Sequence, residues 1–290
     1  MDVELKEKRR QKAERILSTV YNLPTVPFII FEVTKIIENP KSSAAQLAKI
    51  INQDQGMVTK ILSVANSPLY GIPRRVSTID FAIVILGFNH IKNIVIALSM
   101  MDAFKNYGDR KFEKKEYWLH SILTATAAKR LADDLGYRTS GEVFTAGLLH
   151  DLGIPIIYKY FGKEYKQIMQ AFESGERNIQ DAEIEYLGIS HNEVGQFLAD
   201  KWNLPESLSE AIFFHHNPSQ IEKNKQLGAL VHLADYMTYK LQTGSFSWDN
   251  NYIFDDGVIE ILKLGDREYL DNFIESYRTL FTNQLESIKL

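Results

Sequence analysis

Apolar residues recur three and four positions apart along almost the whole chain, as in Leu47, Ile50 and Ile51 and then Val58, Ile61, Leu62 and Ala65, whereas sustained alternation of apolar and polar residues is scarce. A strand turns every second residue to one face and a helix every third or fourth, so this pattern predicts an all-α fold. The 290 residues are enough for about two domains and a sizeable core. At 45% hydrophobic and 24% charged, the composition is that of a globular chain rather than a disordered one.

A polar, charge-rich stretch at residues 105–115 (KNYGDRKFEKK) separates two blocks dense in apolar helices. The expected organisation is a charged extension over residues 1–15, an N-terminal helical region over 16–110 and a second helical domain over 111–290. The opening MDVELKEKRRQKAER has no apolar run and no small-residue cleavage site, so no secretory signal is expected in it. The longest apolar stretch, residues 81–101, is interrupted by Asn89, His90, Lys92 and Asn93 and makes a poor membrane span. The expected compartment is the cytoplasm, with no membrane partner. A net charge of -4 gives no overall electrostatic case for nucleic acid.

The chain has no cysteine, which removes disulfides, thiolate metal clusters and Cys nucleophiles; any metal must sit on His, Asp or Glu. The first block carries no cluster of titratable residues, while the second holds six of the seven histidines. There, Thr139 and Glu142 form a T-x-x-E capping box for a helix apolar on every side through Val143, Phe144, Ala146, Leu148 and Leu149. His150 and Asp151 close it, with Gly153 and Pro155 as stop signals. A carboxylate at the end of so apolar a helix is costly unless paired or bound to a cation. Upstream, Glu116 and His120 stand four apart on one face of a helix rich in small residues, although Glu116 alone reads as a surface residue at a helix start.

Ser190 and Glu193 form a second capping box and place His191 in the first helical turn, where the macrodipole favours a neutral, ligating imidazole. A solvent-facing histidine beside its cap fits that segment equally well. His215 and His216 end a helix that begins at Pro205 and cannot pass Pro218; either one alone reads as a cation complementing the helix dipole. Asp235 continues an apolar stripe through Leu227 and Val231, the alternative being an edge residue paired with Arg or Lys.

Taken in order, Glu116, His120, His150-Asp151, His191, His215-His216 and Asp235 resemble the HD superfamily of metal-dependent phosphohydrolases. In this resemblance His120 matches the first histidine, His150-Asp151 the name-giving doublet and Asp235 the distal aspartate of the one-metal site. Glu116, His191, His215 and His216 match the extra ligands of the multi-metal branch that hydrolyses cyclic dinucleotides. The resemblance implies an HD-type helical bundle holding one or two transition-metal ions, with Asp151 as the catalytic candidate; nitrogen and oxygen donors suit Fe, Mn, Zn or Ni. Two departures stand out. Ile154 follows Gly153 where that branch carries a lysine, and His216 is followed by Asn217-Pro218-Ser219-Gln220 rather than by Gly-Tyr-Pro.

The first block, with LPTVPFIIFEV, then LAKIINQDQGMVTKILSVANSPLYG, then VSTIDFAIVILGFNHIKNIV, is similar to the HDOD branch, in which a regulatory helical region precedes and packs onto an HD-like half. The similarity covers residues 23–241. It implies a metal-binding regulatory module of bacterial-type signal transduction, sensing a phosphate-containing ligand or docking a signalling protein partner. The alternative is a working phosphohydrolase on a nucleotide or cyclic dinucleotide. Residues 44–65 also read as helix, turn, helix, but the second helix offers only Lys60, Thr59, Ser63 and Asn66 as polar reach. They are read as a structural helix pair, and nucleic acid is not expected as a partner.

Overall fold

The computed structural model describes residues 3–19, 29, 32–33, 35–36, 42–103, 114–137, 140–175, 177–244, 248 and 252–288. No strand occurs among them, and the all-α expectation holds. The first half contains α1 (Val3–Thr19), α2 (Ala44–Ile51), α3 (Gln55–Ala65), a 3-10 turn at Pro68–Tyr70, α4 (Ile79–Leu86) and α5 (Phe88–Ala103). The second half runs through α6 (Lys114–Asp134), α7 (Ser140–Leu149), α8 (Gly153–Tyr160), α9 (Gly162–Glu173), α10 (Ile179–Tyr186) and α11 (His191–Lys201). It continues with α12 (Glu206–Phe214), α13 (Lys225–Lys240), α14 (Gly257–Leu262), α15 (Arg267–Ser276) and α16 (Arg278–Ile288). Thr139 of the expected capping box and residues 105–113 of the expected linker lie outside the described residues.

Local chemistry starts these helices where the sequence places caps. Ser43 and Gln46 form a capping box on α2, and the side chains of Asp54 and Thr78 accept backbone N–H groups at the starts of α3 and α4. The α2–α3 pair is indeed helix, turn, helix. Met57, Ile61, Val64 and Ala65 bury its inner face, and Lys60 Nζ lies 5.1 Å over the Trp118 ring of α6. The charged start of the chain belongs to a helix that runs on to Thr19. It docks by burying Ala13 and Leu17 and by ion pairs from Arg10 to Glu193 at 2.7 Å and from Lys12 to Glu164 at 2.8 Å.

Helix α6 is the spine of the fold. Tyr117, Ile122 and Ala125 face one apolar cluster built with α1 to α5 and α7 to α12, while Leu123, Ala127, Ala128 and Leu131 face a second one built with α7 and α12 to α16. Its small residues have a packing reason. A Cβ at Gly147 of α7 would lie 2.9 Å from Ala125 Cα, so α6 and α7 meet backbone to backbone. No single described helix is long and apolar enough to cross a membrane; α4 and α5 pass such a test only as a pair, bent by 118°. The converging ends of α7, α8, α11 and α12, with the flanks of α6 and α13, enclose the histidines.

Candidate metal centre

The His150-Asp151 doublet does not extend its helix. α7 ends at Leu149, and residues 150–152 form a buried turn into α8. Gly153 and Pro155, expected as stop signals, open the next helix instead, because proline is tolerated in a first turn where its missing N–H has no partner to lose. Asp151 therefore sits on a turn, yet inside the bundle, at 2% exposure.

Backbone carbonyls and one carboxylate set the direction of four of the five imidazoles. His120 Nδ1 lies 3.2 Å from the Gly244 carbonyl, His150 Nδ1 2.8 Å from that of Gly147 and His215 Nδ1 2.7 Å from that of Ile212. His191 Nδ1 lies 2.9 Å from the Glu183 carboxylate. An acceptor at that distance requires a proton on Nδ1, so in the neutral ring it is Nε2 that carries the lone pair. The Nε2 atoms face one another: His120 and His150 approach to 3.2 Å, His191 and His216 to 3.0 Å, and His191 and His215 to 3.4 Å. Neutral rings with their Nε2 atoms so close repel unless a proton or a metal ion lies between them.

The donor atoms fall into two groups. His120, His150 and Asp235 form one and His191, His215 and His216 the other, each with donor atoms within 4.8 Å of one another. Asp235 Oδ1 is 3.2 Å from His120 Nε2 and 3.6 Å from His150 Nε2. Asp151 lies between the groups, with Oδ2 3.2 Å from His150 Nε2 and 3.6 Å from His120 Nε2, and Oδ1 3.6 Å from the Nε2 atoms of both His191 and His215.

The residues fit a metal on two counts. Asp151 Oδ2 and both carboxylate oxygens of Asp235 are buried without a hydrogen-bond partner, an arrangement costly for a carboxylate that meets no cation. Ligands about 2.1 Å from an ion stand about 3.0 Å apart in an octahedron and about 3.4 Å apart in a tetrahedron; the separations here begin at 3.0 Å and reach 3.6 Å, close to that range.

Burial acts to raise the carboxyl groups of Asp151 and Asp235, but His150, with His191 and His215 around Asp151 and His120 beside Asp235, outweighs it and holds both below the ordinary range. Burial likewise acts to lower His150; the two aspartates reverse this and raise it well above its usual value. His215 is pushed down to about 3 by burial and by repulsion from His150 and His191, and His216 is lowered well below its usual value by burial, His215 and His191. Neither is a cation capping a helix dipole.

Seven of the eight residues expected as ligands are thus brought together. His191 is 1% exposed rather than solvent-facing, and Asp235 is fully buried rather than an edge residue. Glu116, one turn before His120, is exposed, and its carboxylate is not among the converging donor atoms. Sequence reasoning passed over Glu183, which accepts from His191, and His232, whose Nδ1 lies 2.7 Å from the His215 carbonyl and whose Nε2 accepts the Asp255 backbone N–H at 2.9 Å. His232 braces the turn that carries His215. Glu183 had a readable signal: Ile179, Glu183 and Leu187 stand four apart on a buried stripe.

The architecture recurs in known proteins. An HDOD domain protein with unknown function from Geobacter sulfurreducens is 28% identical, with 98% of this chain and 99% of that one covered and a TM-score of 0.78. A candidate phosphohydrolase from Shewanella amazonensis SB2B shares the fold at 23% identity and a TM-score of 0.69, covering 94% of this chain and 97% of that one. An uncharacterized protein of Treponema pallidum (strain Nichols) is 27% identical over 252 residues, 86% of this chain and 48% of that protein, so the chain spans about half the length of that curated relative. The profile of the HDOD domain matches residues 23–218, and the chain belongs to the HDOD domain family.

Proposed function

We propose that this chain is a metal-centred regulatory module of bacterial-type signal transduction, in which the ions organise the bundle and output passes through ligand sensing or a docked protein partner. The observation that carries this reading is the burial of the donor set. His120, His150, Asp151, His191, His215 and Asp235 are each no more than 2% exposed, and His216 alone of the seven is half-buried. A hydrolytic site must admit a substrate and place cations around its phosphoryl oxygens. Here Ile154 is buried where a lysine would be needed, and Lys159 and Lys163, the nearest cations along the chain, are solvent-exposed on α8 and α9. His120, His150 and Asp235 would hold one ion, His191, His215 and His216 a second, with Asp151 between them. Bound ions supply positive charge and Lewis acidity.

The first half offers the docking face. Val84 and Ile85 on α4 are 71% and 45% exposed, large apolar side chains that favour a protein partner over bulk water. The phosphohydrolase reading draws on one feature, the position of Asp151 between the two groups, which suits a carboxylate shared by two ions. An assay separates the readings. The metal-loaded chain is expected to turn over cyclic dinucleotides and nucleoside monophosphates weakly or not at all. Metal-dependent hydrolysis above about 1 per second, abolished by Asp151→Ala, would establish the phosphohydrolase instead.

A further inference from the structure

Glu183 lies on α10, eight residues before His191, and is fully buried. Its oxygens face three N–H groups: the backbone N–H of His191 at 2.9 Å, His191 Nδ1 at 2.9 Å and the Trp248 indole Nε1 at 3.0 Å. Trp248 is itself 1% exposed and stacks on Tyr165 of α9, with ring centroids 5.2 Å apart. An acceptor-only carboxylate suits three donors; an amide in its place would turn an NH2 against at least one of them.

The two groups of ligands differ in charge. His120, His150 and Asp235 include a carboxylate, with the nearer oxygen of Asp151 3.2 Å from His150. His191, His215 and His216 have no carboxylate of their own, and Asp151 Oδ1 stands 3.6 Å away. His120, His150 and His215 are oriented by neutral carbonyls, whereas His191 is oriented by an acid. A carboxylate behind an imidazole fixes its tautomer, aims its lone pair and makes it a stronger donor.

We propose that Glu183 is the positioning residue of the His191–His215–His216 group, holding the His191 proton on Nδ1 and supplying through that ring negative charge to a group whose nearest other carboxylate is the Asp151 shared with its neighbour. The proposal rests on the metal-binding reading above. It deepens that reading by making uptake at one group depend on a residue outside both.

The test uses the full chain, stripped with chelator and titrated with Zn(II), alongside Glu183→Gln and Trp248→Phe. Wild-type protein is expected to take up two ions. Glu183→Gln should remain helical by circular dichroism, keep the tighter ion unchanged and bind the other about 10- to 100-fold more weakly. Trp248→Phe leaves both hydrogen bonds to His191 in place and should bind both ions within about threefold of wild type. In the wild-type chain, long-range proton–nitrogen correlation spectra should show His191 as the Nδ1–H tautomer, a readout that does not depend on any variant folding. An Nε2–H tautomer, two ions at wild-type affinity in Glu183→Gln, or equal weakening of both would overturn the proposal. Uptake of no metal by the wild-type chain would instead overturn the reading on which it rests.

Discussion

Gly153→Ala gives a sharp test of how the doublet is held. Gly153 follows the buried turn directly, and a methyl group on it would lie 1.9 Å from the His191 carbonyl oxygen, 2.8 Å from its carbon and 3.0 Å from the Gly195 nitrogen. Ordinary contact begins at 3.4 Å, so α8 and α11 would have to part by about 1.5 Å. The obstacle is backbone on a buried helix, flanked by Leu152, Ile154, Val194 and Leu198, and no rotamer change can relieve it. Overpacking a core costs about 1–3 kcal/mol where side chains can adjust, which places this contact near the upper end, at about 3 kcal/mol. At about 2–4 °C per kcal/mol for a large domain, Tm should fall by about 6–12 °C in chelator. Parting the helices also moves His191 by more than the roughly 0.5 Å that a ligand constellation tolerates, so the variant should lose the ion at His191, His215 and His216 and keep the other. Thermal unfolding followed by circular dichroism, with elemental analysis of the same samples, reads both effects. A Tm within about 1 °C of wild type together with full metal content would refute the packing argument.

Two further outcomes follow from the same geometry. Asp151→Ala should cost about 3 kcal/mol with metal bound, because it strands the facing imidazoles and the ions, and should change little in chelator, where loss of a buried charge offsets loss of its partners; equal effects in both conditions, by urea unfolding, would contradict a ligand role. His90, whose Nε2 lies 2.6 Å from the Tyr70 hydroxyl, is pushed down to about 3 by burial and by Lys129, so the folded state takes up its proton later than the unfolded chain does. Its contribution is complete above about pH 6.5 and is lost at up to about 1.4 kcal/mol per unit as pH falls toward 3. Urea unfolding of His90→Gln between pH 7 and 4.5 should therefore show a shallower acid decline than wild type, and parallel curves would remove His90 from that decline.

Helical spacing made the fold class legible because burial follows the same period in the structure, as with Leu227, Val231 and Asp235, all buried on α13. The clustered histidines and aspartates were legible as an ordered set even though the bland reading of each was reasonable in isolation. Their orientation was not. The acceptors that aim His120, His150 and His215 are the carbonyls of Gly244, Gly147 and Ile212, and since every residue has a carbonyl no side-chain pattern marks them. Glu183 is a different case, since an acid on an apolar stripe is the signal that marked Asp235. Glu116 shows the limit of spacing: four residues place it on the His120 side of α6, but one turn further along that face reaches solvent.

The metal content of protein purified without added metal, compared with that of the His191→Ala/His215→Ala double variant, tests the two-group centre most directly. The account predicts about two equivalents of transition metal in the wild type, and about one in the double variant, retained on His120, His150 and Asp235. Less than about a tenth of an equivalent in wild-type protein after metal-replete expression would contradict it.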